Sequence, residues 1–275
     1  MLRGMSDRAP LAILVPTRGE FEPYRALLPD LRPLDVAGPW ELYEAAVGGC
    51  RLLLILSAAG PVNAAAATER LIAQFAPAAI LHGGSAGAHN PALMPGDAVI
   101  GSRFVIVAAP GVREARIARG LPGSLIRFYR GGETVSLEYI DAGAALLRQA
   151  ETAAAAVAAA LGPWQAPGWP PELPRRAPAL VSGIVGSADA WTVEADELRS
   201  LRVQYQAECE DMESAYVAQV CAMHGVPFAA IRVMSDNEAA CALTAEDVPI
   251  AIAEAGDRAA RALLALAAAL AQAGD

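Results

Sequence analysis

Carboxyl side chains stand near both ends of the segment 208–238. A cluster at its start precedes an apolar stripe with helical spacing, and Asp236 follows an apolar run over 227–234 that is typical of a buried strand. Carboxyl groups can donate or accept protons, and ligands of open α/β sheets bind at the carboxyl ends of strands. We therefore expect one carboxylate at a helix start and another at a strand end. The cluster consists of Glu208, Glu210, Asp211 and Glu213.

Another acidic position follows the first predicted strand. The apolar run Leu11–Val15 is closed by Pro16, and a helix with an apolar stripe begins shortly after it, which places Glu20 in the turn between the two. An acidic residue in a first helical turn also complements the helix dipole. Each of these carboxylates, taken alone, therefore fits an ordinary capping role, and only further motifs can distinguish capping from acid–base chemistry.

Two glycine motifs lie between these segments. The run Gly84-Ser85-Ala86-Gly87 follows a buried apolar strand, and Gly96-Asp97 precedes another. Glycines let the backbone approach a ligand closely, and Ser85 adds a hydroxyl group. A glycine run alone usually marks only a turn, but its pairing with the second motif is more specific.

These motifs, in this order, resemble the nucleoside phosphorylase/nucleosidase superfamily. The stretches Asp-Met-Glu-Ser-Ala at 211–215 and Ile-Arg-Val-Met-Ser-Asp at 231–236 carry the resemblance, together with the two glycine motifs. Within the superfamily the pattern is most similar to the 5′-methylthioadenosine/S-adenosylhomocysteine nucleosidases. The resemblance covers residues 11–272 and departs at 101–137 and 163–178.

The resemblance implies an α/β fold with a twisted mixed β-sheet flanked by helices. The segment 163–178 contains six prolines, which excludes regular structure there. We interpret it as a surface insertion in a single domain spanning 1–275, because motifs on both sides of it are needed for one site.

The resemblance also implies catalytic roles. Asp236 would protonate N7 of a purine, Glu20 would activate water, and Glu213 would bind the ribose hydroxyls. A short insertion in the alignment would move the base from Glu20 to Glu22. An ordinary Asp titrates near pH ~3.9, so Asp236 would have to be kept protonated by apolar surroundings.

Further positions would bind the substrate. Trp191 stands where the family has a phenylalanine that stacks on the purine, although a core tryptophan is the alternative interpretation. Met212 would pack on the ribose, and Arg232 would orient Glu213 or contact a hydroxyl. The complete predicted set of substrate-binding residues is Ser85, Ala86, Gly87, Trp191, Thr192, Met212, Ser235 and Arg232.

The predicted reaction is hydrolysis of the N-glycosidic bond of a purine nucleoside, which releases the free base and the sugar. The first alternative is a phosphorylase, for which Arg18 and Arg103 are candidate phosphate ligands, although Glu20 nearby would repel the anion. The second alternative is a nucleoside-binding relative without turnover. The arginine-rich segment 101–137 fits a solvated mobile loop as well as a wall of the pocket.

The composition limits the kinds of molecule that the protein is expected to bind. The 275 residues carry a net charge of −9, which argues against nucleic acid and anionic membranes. Residues 1–10 lack the apolar core of a secretory signal, so we expect a cytoplasmic protein. The resemblance suggests a homodimer.

Cysteine and histidine spacing predicts no metal and no cofactor. The four cysteines are far apart without a C-x-x-C pair, so we expect free thiols. The three histidines, including His89, show no metal-ligand spacing, and we interpret His89 as a solvated loop residue.

Overall fold

The computed structural model describes residues 8–35, 38–109, 111–121, 123 and 126–273. The stretch on which the signal-peptide argument rests lies outside the described residues up to position 7. The described strands are β1 Leu11–Val15, β2 Arg32–Pro33, β3 Glu41–Val47, β4 Cys50–Leu56, β5 Ala79–Ala88, β6 Ala98–Ile106, β7 Ile126–Arg130, β8 Glu133–Leu137, β9 Ile140–Asp141, β10 Leu180–Ser187, β11 Ala207–Asp211 and β12 Phe228–Asp236. The helices are α1 Arg18–Leu27, α2 Pro61–Phe75, α3 Val112–Ile117, α4 Ala144–Ala160, α5 Ala195–Tyr205, α6 Ser214–His224 and α7 Val248–Ala273.

A mixed sheet forms the centre of the fold. Its strand order is β11-β10-β6-β12-β5-β1-β4-β3-β2, with β9 paired to β6, and β7–β8 form a separate hairpin. The pairs β1–β4, β1–β5, β5–β12, β6–β10 and β10–β11 are parallel, whereas β6–β12 and β3–β4 are antiparallel. The predicted mixed α/β fold is therefore confirmed.

Part of the sheet is closed into a ring. Strand β11 also pairs with β5 in antiparallel register, through Cys209 with Ala88 and Glu210 with Gly87. The strands β5, β12, β6, β10 and β11 thus form a closed ring. Because of this closure, residues from the carboxyl ends of distant strands meet at one place.

Helices cover both faces because the strands are apolar on both sides. In β1, Ala12 and Leu14 pack in the core with α2 and α6, while Leu11, Ile13 and Val15 pack in the core with α1, α4 and α7. Alternate side chains of a strand point to opposite faces, so a fully apolar strand requires two covered faces.

Two local expectations are corrected by the structure. The carboxylates Glu208, Glu210 and Asp211 lie on strand β11 rather than at a helix start, and only Glu213 is an N-cap, that of α6. The glycine run at 84–87 is not a turn, because β5 continues through it to Ala88. The sequence did not reveal the short strand β11, because three of its five residues are carboxylates, which are uncommon in strands.

The two divergent segments have different structures. The described residues of 101–137 form the end of β6, the short helix α3 and the β7–β8 hairpin, so the first of the two alternatives, a single mobile loop, does not describe this segment. Residues 163–178 contain neither helix nor strand, as the prolines predict. Both of its tryptophans, Trp164 and Trp169, are nevertheless buried. The four cysteines are free thiols, and none of the described helices is long and apolar enough to cross a membrane.

Burial of Trp164 predicts that the proline-rich segment stabilises the fold. The indole is 1% exposed, packs under the guanidinium of Arg258, and donates a hydrogen bond of 2.9 Å to the carbonyl of Pro167. We expect Trp164→Ala to lower the free energy of unfolding by about 3–5 kcal/mol, because it leaves a large cavity. Urea unfolding followed by circular dichroism measures this change.

Trp191→Ala is the matched control for this substitution. Trp191 is 45% exposed, so its removal should cost less than about 1 kcal/mol. A loss at Trp164 no larger than the loss at Trp191 would contradict the assignment of a structural role to the proline-rich segment.

Candidate active site

The eleven residues predicted as catalytic or substrate-binding all line one cleft. The cleft has a volume of about 820 Å³, which includes space open to solvent. The residues come from β5 and β12 and from the segments that follow β1, β10 and β11, so they gather at the carboxyl ends of strands. They are Glu20, Ser85, Ala86, Gly87, Trp191, Thr192, Met212, Glu213, Arg232, Ser235 and Asp236.

Glu20 is fixed at the start of α1 by hydrogen bonds from two elements. The hydroxyl of Thr17, the N-cap residue, donates to Oε2 of Glu20 at 2.7 Å. Oε1 accepts hydrogen bonds from the backbone N–H and the hydroxyl of Ser85, at 2.7 Å and 3.0 Å. The carboxylate is only 2% exposed, so its orientation is determined by these donors.

Glycines provide the space for the Glu20 side chain. A Cβ atom at Gly84 would overlap Oε1 of Glu20, and a Cβ atom at Gly256 would lie 2.8 Å from Cα of Glu20. Glu22 is exposed and does not line the cleft. Of the two acidic candidates in this helix, only Glu20 faces the cleft.

The guanidinium of Arg232 lies at the centre of a buried polar network. It is 2% exposed, and its Nε lies 3.2 Å from Oδ2 of Asp211, while Nη2 lies 3.7 Å from Oε2 of Glu213. Nη2 also donates to the carbonyl of Ser85, and Nη1 donates to Nε2 of His82 at 2.8 Å. Arg232 therefore holds the groups at this end of the cleft together.

Two carboxylates beside Arg232 have opposite pKa shifts. Burial is the largest influence on Asp211 and opposes its ionisation, but the charge of Arg232 and the hydrogen bonds from the Ser187 and Ser214 hydroxyls together offset burial and hold the pKa of Asp211 below its usual value. Burial, together with the charge of Asp211, raises the pKa of Glu213 to about 7. Asp211 also accepts the N–H groups of Glu213 and Ser214 at the start of α6, and Glu213 accepts the N–H of Gly60 at 2.8 Å.

His82 is a neutral member of this network. Burial first, and the charge of Arg232 second, lower the pKa of His82 to about 3. Nε2 accepts from Arg232, so Nδ1 carries the proton and donates to the carbonyl of Leu14 at 3.0 Å. His82, Asp211 and Glu213 also have donor atoms within 4.8 Å of one another, but Arg232 contacts all three and already supplies a positive charge there. These residues do not fit a metal ion.

Asp236 lies in a different electrostatic environment. The register between β12 and β5 shifts between Met234 and Asp236, so the strand is bulged at Ser235. The Ser235 hydroxyl donates to Oδ1 of Asp236 at 2.6 Å. A Cβ atom at Gly87 would lie 3.1 Å from Oδ2, so the glycine permits this close approach. Burial raises the pKa of Asp236 to about 6.

The aromatic and apolar groups of the cleft lie beside these carboxyls. Trp191 follows β10 and is 45% exposed, which rules out a core position for the indole, and it lines the cleft together with Asp236. Met212 and Thr192 are half-buried in the cleft wall. An aromatic face therefore lies next to a carboxyl group with a raised pKa.

The two arginines considered as phosphate ligands lie outside the cleft. Arg18 is exposed and forms an ion pair with Glu41, and the guanidinium of Arg103 lies 4.8 Å from the centre of the Tyr139 ring. Among the described residues that line the cleft, the charged side chains are five carboxylates and the Arg232 guanidinium. This lining disfavours an anionic ligand.

Sequence reasoning assigned no site role to four polar residues that line the cleft, namely Thr17, His89, Glu210 and Asp211. His89 is 4% exposed rather than solvated, and its Nε2 lies 3.4 Å from Oε2 of Glu210, which is also buried. The antiparallel pairing of β11 with β5 brings these residues together. No local sequence pattern indicates that pairing, because more than a hundred residues separate the two strands.

The geometry separates the cleft into two ends. At one end, which we call the acid end, Asp236 lies with Ser235 and Trp191, and a carboxyl with a raised pKa can donate a proton. At the other end, Glu20, Glu213 and Arg232 lie together. A carboxylate held by N–H and O–H donors there can position a hydroxyl group or a water molecule.

The chain is similar in sequence to known proteins. The sequence model of the Phosphorylase superfamily matches residues 10–271. The 5′-methylthioadenosine/S-adenosylhomocysteine nucleosidase of Geobacillus kaustophilus is 31% identical over 201 residues, which covers 71% of this chain and 71% of the relative.

Solved structures agree with the sequence comparison. The 5′-methylthioadenosine/S-adenosylhomocysteine nucleosidase from Neisseria meningitidis in complex with methylthio-immucillin-A has a TM-score of 0.73 at 23% identity, covering 95% of this chain and 100% of that chain. The futalosine hydrolase of Helicobacter pylori has a TM-score of 0.72 at 20% identity, covering 95% and 98%. At these identities the structures show a common fold. The match of the superfamily model to nearly the whole chain shows that this protein belongs to the phosphorylase superfamily, as its motifs predicted.

Proposed function

We propose that the protein hydrolyses the N-glycosidic bond of a purine nucleoside of the methylthioadenosine/S-adenosylhomocysteine type and releases the free base and the sugar. One observation carries the proposal: a single cleft holds a carboxyl with a raised pKa beside an aromatic face, and a second group of carboxylates around Arg232. The names of the relatives point to the same chemistry.

At the acid end, Asp236 protonates the leaving base. Departure of a purine leaves negative charge on the base, and a proton on N7 neutralises it. Burial raises the pKa of Asp236 to about 6, so its carboxyl is available as an acid close to neutral pH. The exposed face of Trp191 supports the base by stacking beside this carboxyl.

At the other end, Glu20 and Glu213 serve the sugar and the water. The sugar becomes an oxocarbenium-like cation as the bond breaks, and nearby carboxylates stabilise that charge. Glu213, fixed by the Gly60 N–H, binds the ribose hydroxyls, and Met212 beside it packs on the ribose. Glu20, fixed by Thr17 and Ser85, orients the attacking water and accepts its proton.

The charges of the cleft support hydrolysis rather than phosphorolysis. Phosphate in a phosphorylase is bound by several cationic or N–H donors. Arg232 is already paired with Asp211 and Glu213, and Arg18 is turned towards Glu41. Carboxylates would repel phosphate at the position where it would have to attack.

The protein further acts as a cytoplasmic homodimer in this proposal. The free state of all four thiols supports a reducing compartment. Val62 is 77% exposed, and it lies two residues from Gly60, whose N–H contacts Glu213. A partner subunit that covers Val62 would therefore lie beside the cleft. Light scattering after size-exclusion chromatography should give twice the mass of one chain, whereas the mass of one chain would contradict the dimer.

Base release from a nucleoside panel tests the reaction. The panel contains methylthioadenosine, adenosylhomocysteine, adenosine, inosine and guanosine, each with and without inorganic phosphate. We expect free sugar and free base at the same rate in both conditions. Strict dependence on phosphate, with sugar 1-phosphate as the product, would establish a phosphorylase, and nucleoside binding without base release would establish a non-catalytic relative.

Substitutions of the two acidic residues in α1 test the assignment of the base. We expect Glu20→Gln to lower kcat/KM by about 10²–10⁴-fold, because the amide cannot accept the proton of water. Glu22→Gln, in the same helix but exposed, should change kcat/KM by less than about twofold. Equal effects of the two substitutions in steady-state assays would refute the role of Glu20.

The raised pKa of Asp236 predicts the pH dependence of the reaction. Asp236 must be protonated and Glu213 ionised, so kcat/KM should fall by about tenfold per pH unit only above the Glu213 pKa of about 7, where Glu213 is ionised and Asp236, with a pKa of about 6, continues to lose its proton. In Asp236→Asn the rate should be lower by about 10²-fold or more, and this fall with pH should disappear. A wild-type rate that rises between pH 7 and pH 8 would show that Asp236 is not the acid.

A further inference from the structure

Two buried polar side chains of the cleft have no function in the mechanism above. Neither ring nitrogen of His89 makes a hydrogen bond to the described residues, and the same is true of Oε2 of Glu210. Both side chains line the cleft, and they are 4% and 6% exposed. Their nearest atoms lie 3.4 Å apart, in a geometry that does not form a hydrogen bond.

Such groups are costly unless a ligand pairs with them. A buried polar atom without a partner loses its hydration without compensation, and the cost is larger for a charged group than for a neutral one. Here one oxygen of the Glu210 carboxylate is satisfied, because Oε1 accepts the backbone N–H of Thr192 at 3.1 Å. The other oxygen, Oε2, is a buried acceptor without a donor among the described residues.

The position of Glu210 relates it to the acid end. Its charge acts on the carboxyl of Asp236, and the N–H that orients it belongs to the residue after Trp191. Glu210 therefore lies at the end of the cleft that receives the base in the proposed function. The N7 atom of a purine and its 6-substituent lie next to each other on one edge of the base.

We infer that Glu210, oriented by Thr192 and flanked by His89, accepts a hydrogen bond from the 6-amino group of the base and makes the cleft select a 6-aminopurine over a 6-oxopurine. This inference rests on the proposed function, because Asp236 must face N7. Adenine presents an acceptor at N7 and a donor at the 6-position, whereas hypoxanthine and guanine present two acceptors. A protonated Asp236 and a Glu210 carboxylate match the adenine pattern.

The geometry gives Glu210→Gln a specific effect. The Thr192 N–H requires an acceptor, so the amide oxygen of the glutamine takes the place of Oε1 and the NH₂ group faces the cleft. The substitution replaces an acceptor with a donor at nearly constant volume. It should therefore weaken binding of a 6-amino group and improve binding of a 6-oxo group.

The test compares kcat/KM for methylthioadenosine and methylthioinosine, which share the same sugar and 5′ group. We expect the wild type to prefer the 6-amino nucleoside by about tenfold or more, as a hydrogen bond to a charged group allows. In Glu210→Gln the ratio should fall to about one or invert. A ratio unchanged by Glu210→Gln, or a wild type that prefers methylthioinosine, would overturn the inference.

Glu208→Gln is the matched control. Glu208 lies on the same strand, pairs with Arg202 and Asn90, and does not line the cleft, so the wild-type ratio should be retained. A shift in this control equal to that of Glu210→Gln would show a nonspecific effect of charge and refute the contact.

Two measurements remain decisive if the variant fails to fold or the reaction differs. The wild type alone should lose about tenfold or more in kcat/KM with the methylthio derivative of purine riboside, which has no 6-amino group, and no loss would overturn the inference. Calorimetric binding of free adenine and hypoxanthine needs no turnover. Preference for adenine without base release would preserve the inference while the proposed function fails, and equal binding would overturn it.

Discussion

The cleft depends on the burial of one guanidinium. Arg232 is 2% exposed on β12, a strand that is buried along its whole length. Removing a charge from water costs several kcal/mol, and the cost is offset only by close partners with good geometry. Asp211, Glu213, His82 and the Ser85 carbonyl are those partners. His82 and Ser85 belong to β5, whereas Asp211 ends β11 and Glu213 precedes α6, so the ion pair network fixes the positions of these elements relative to β12.

Asp211 and Asp236 have the same carboxyl side chain, but their surroundings shift the two pKa values in opposite directions. Asp211 lies against Arg232 and has a lowered pKa, whereas Asp236 has Ser235 as a polar partner and Glu210 and Glu238 as nearby charges. Burial without a cation beside it favours the protonated form. One ring of strands thus holds a carboxylate and a carboxylic acid within a single cleft, and acid–base catalysis by paired carboxyl groups requires this difference.

The sequence predicted the parts of the cleft that depend on local motifs. Glu20, Glu213 and Asp236 were located by strand ends and by the family pattern, and the structure brings all three to the cleft. The antiparallel closure of β11 on β5 could not be predicted, because it is a long-range pairing without a local pattern. The contact of His89 with Glu210 depends on that pairing, so the sequence could not reveal it either.

Charged residues outside the motifs were the least predictable. Arg18 stands next to the first strand end, in a position from which its side chain could face the cleft, but Glu41 on β3 attracts it to the surface. The partner of a long exposed side chain is set by tertiary packing that no local spacing records. Burial of Trp164 in a proline-rich segment is a similar case, since the prolines indicate irregular backbone but not what it covers.

The central claim is that burial keeps Asp236 as a carboxylic acid at the acid end of the cleft. Infrared difference spectra of the protein labelled with ¹³C-aspartate, recorded from pH 4 to pH 9, would measure this directly. The account predicts a protonated carboxyl band that disappears with a midpoint at the pKa of about 6 and is absent in Asp236→Asn. A spectrum in which that substitution removes no protonated carboxyl at pH 5 would contradict the account.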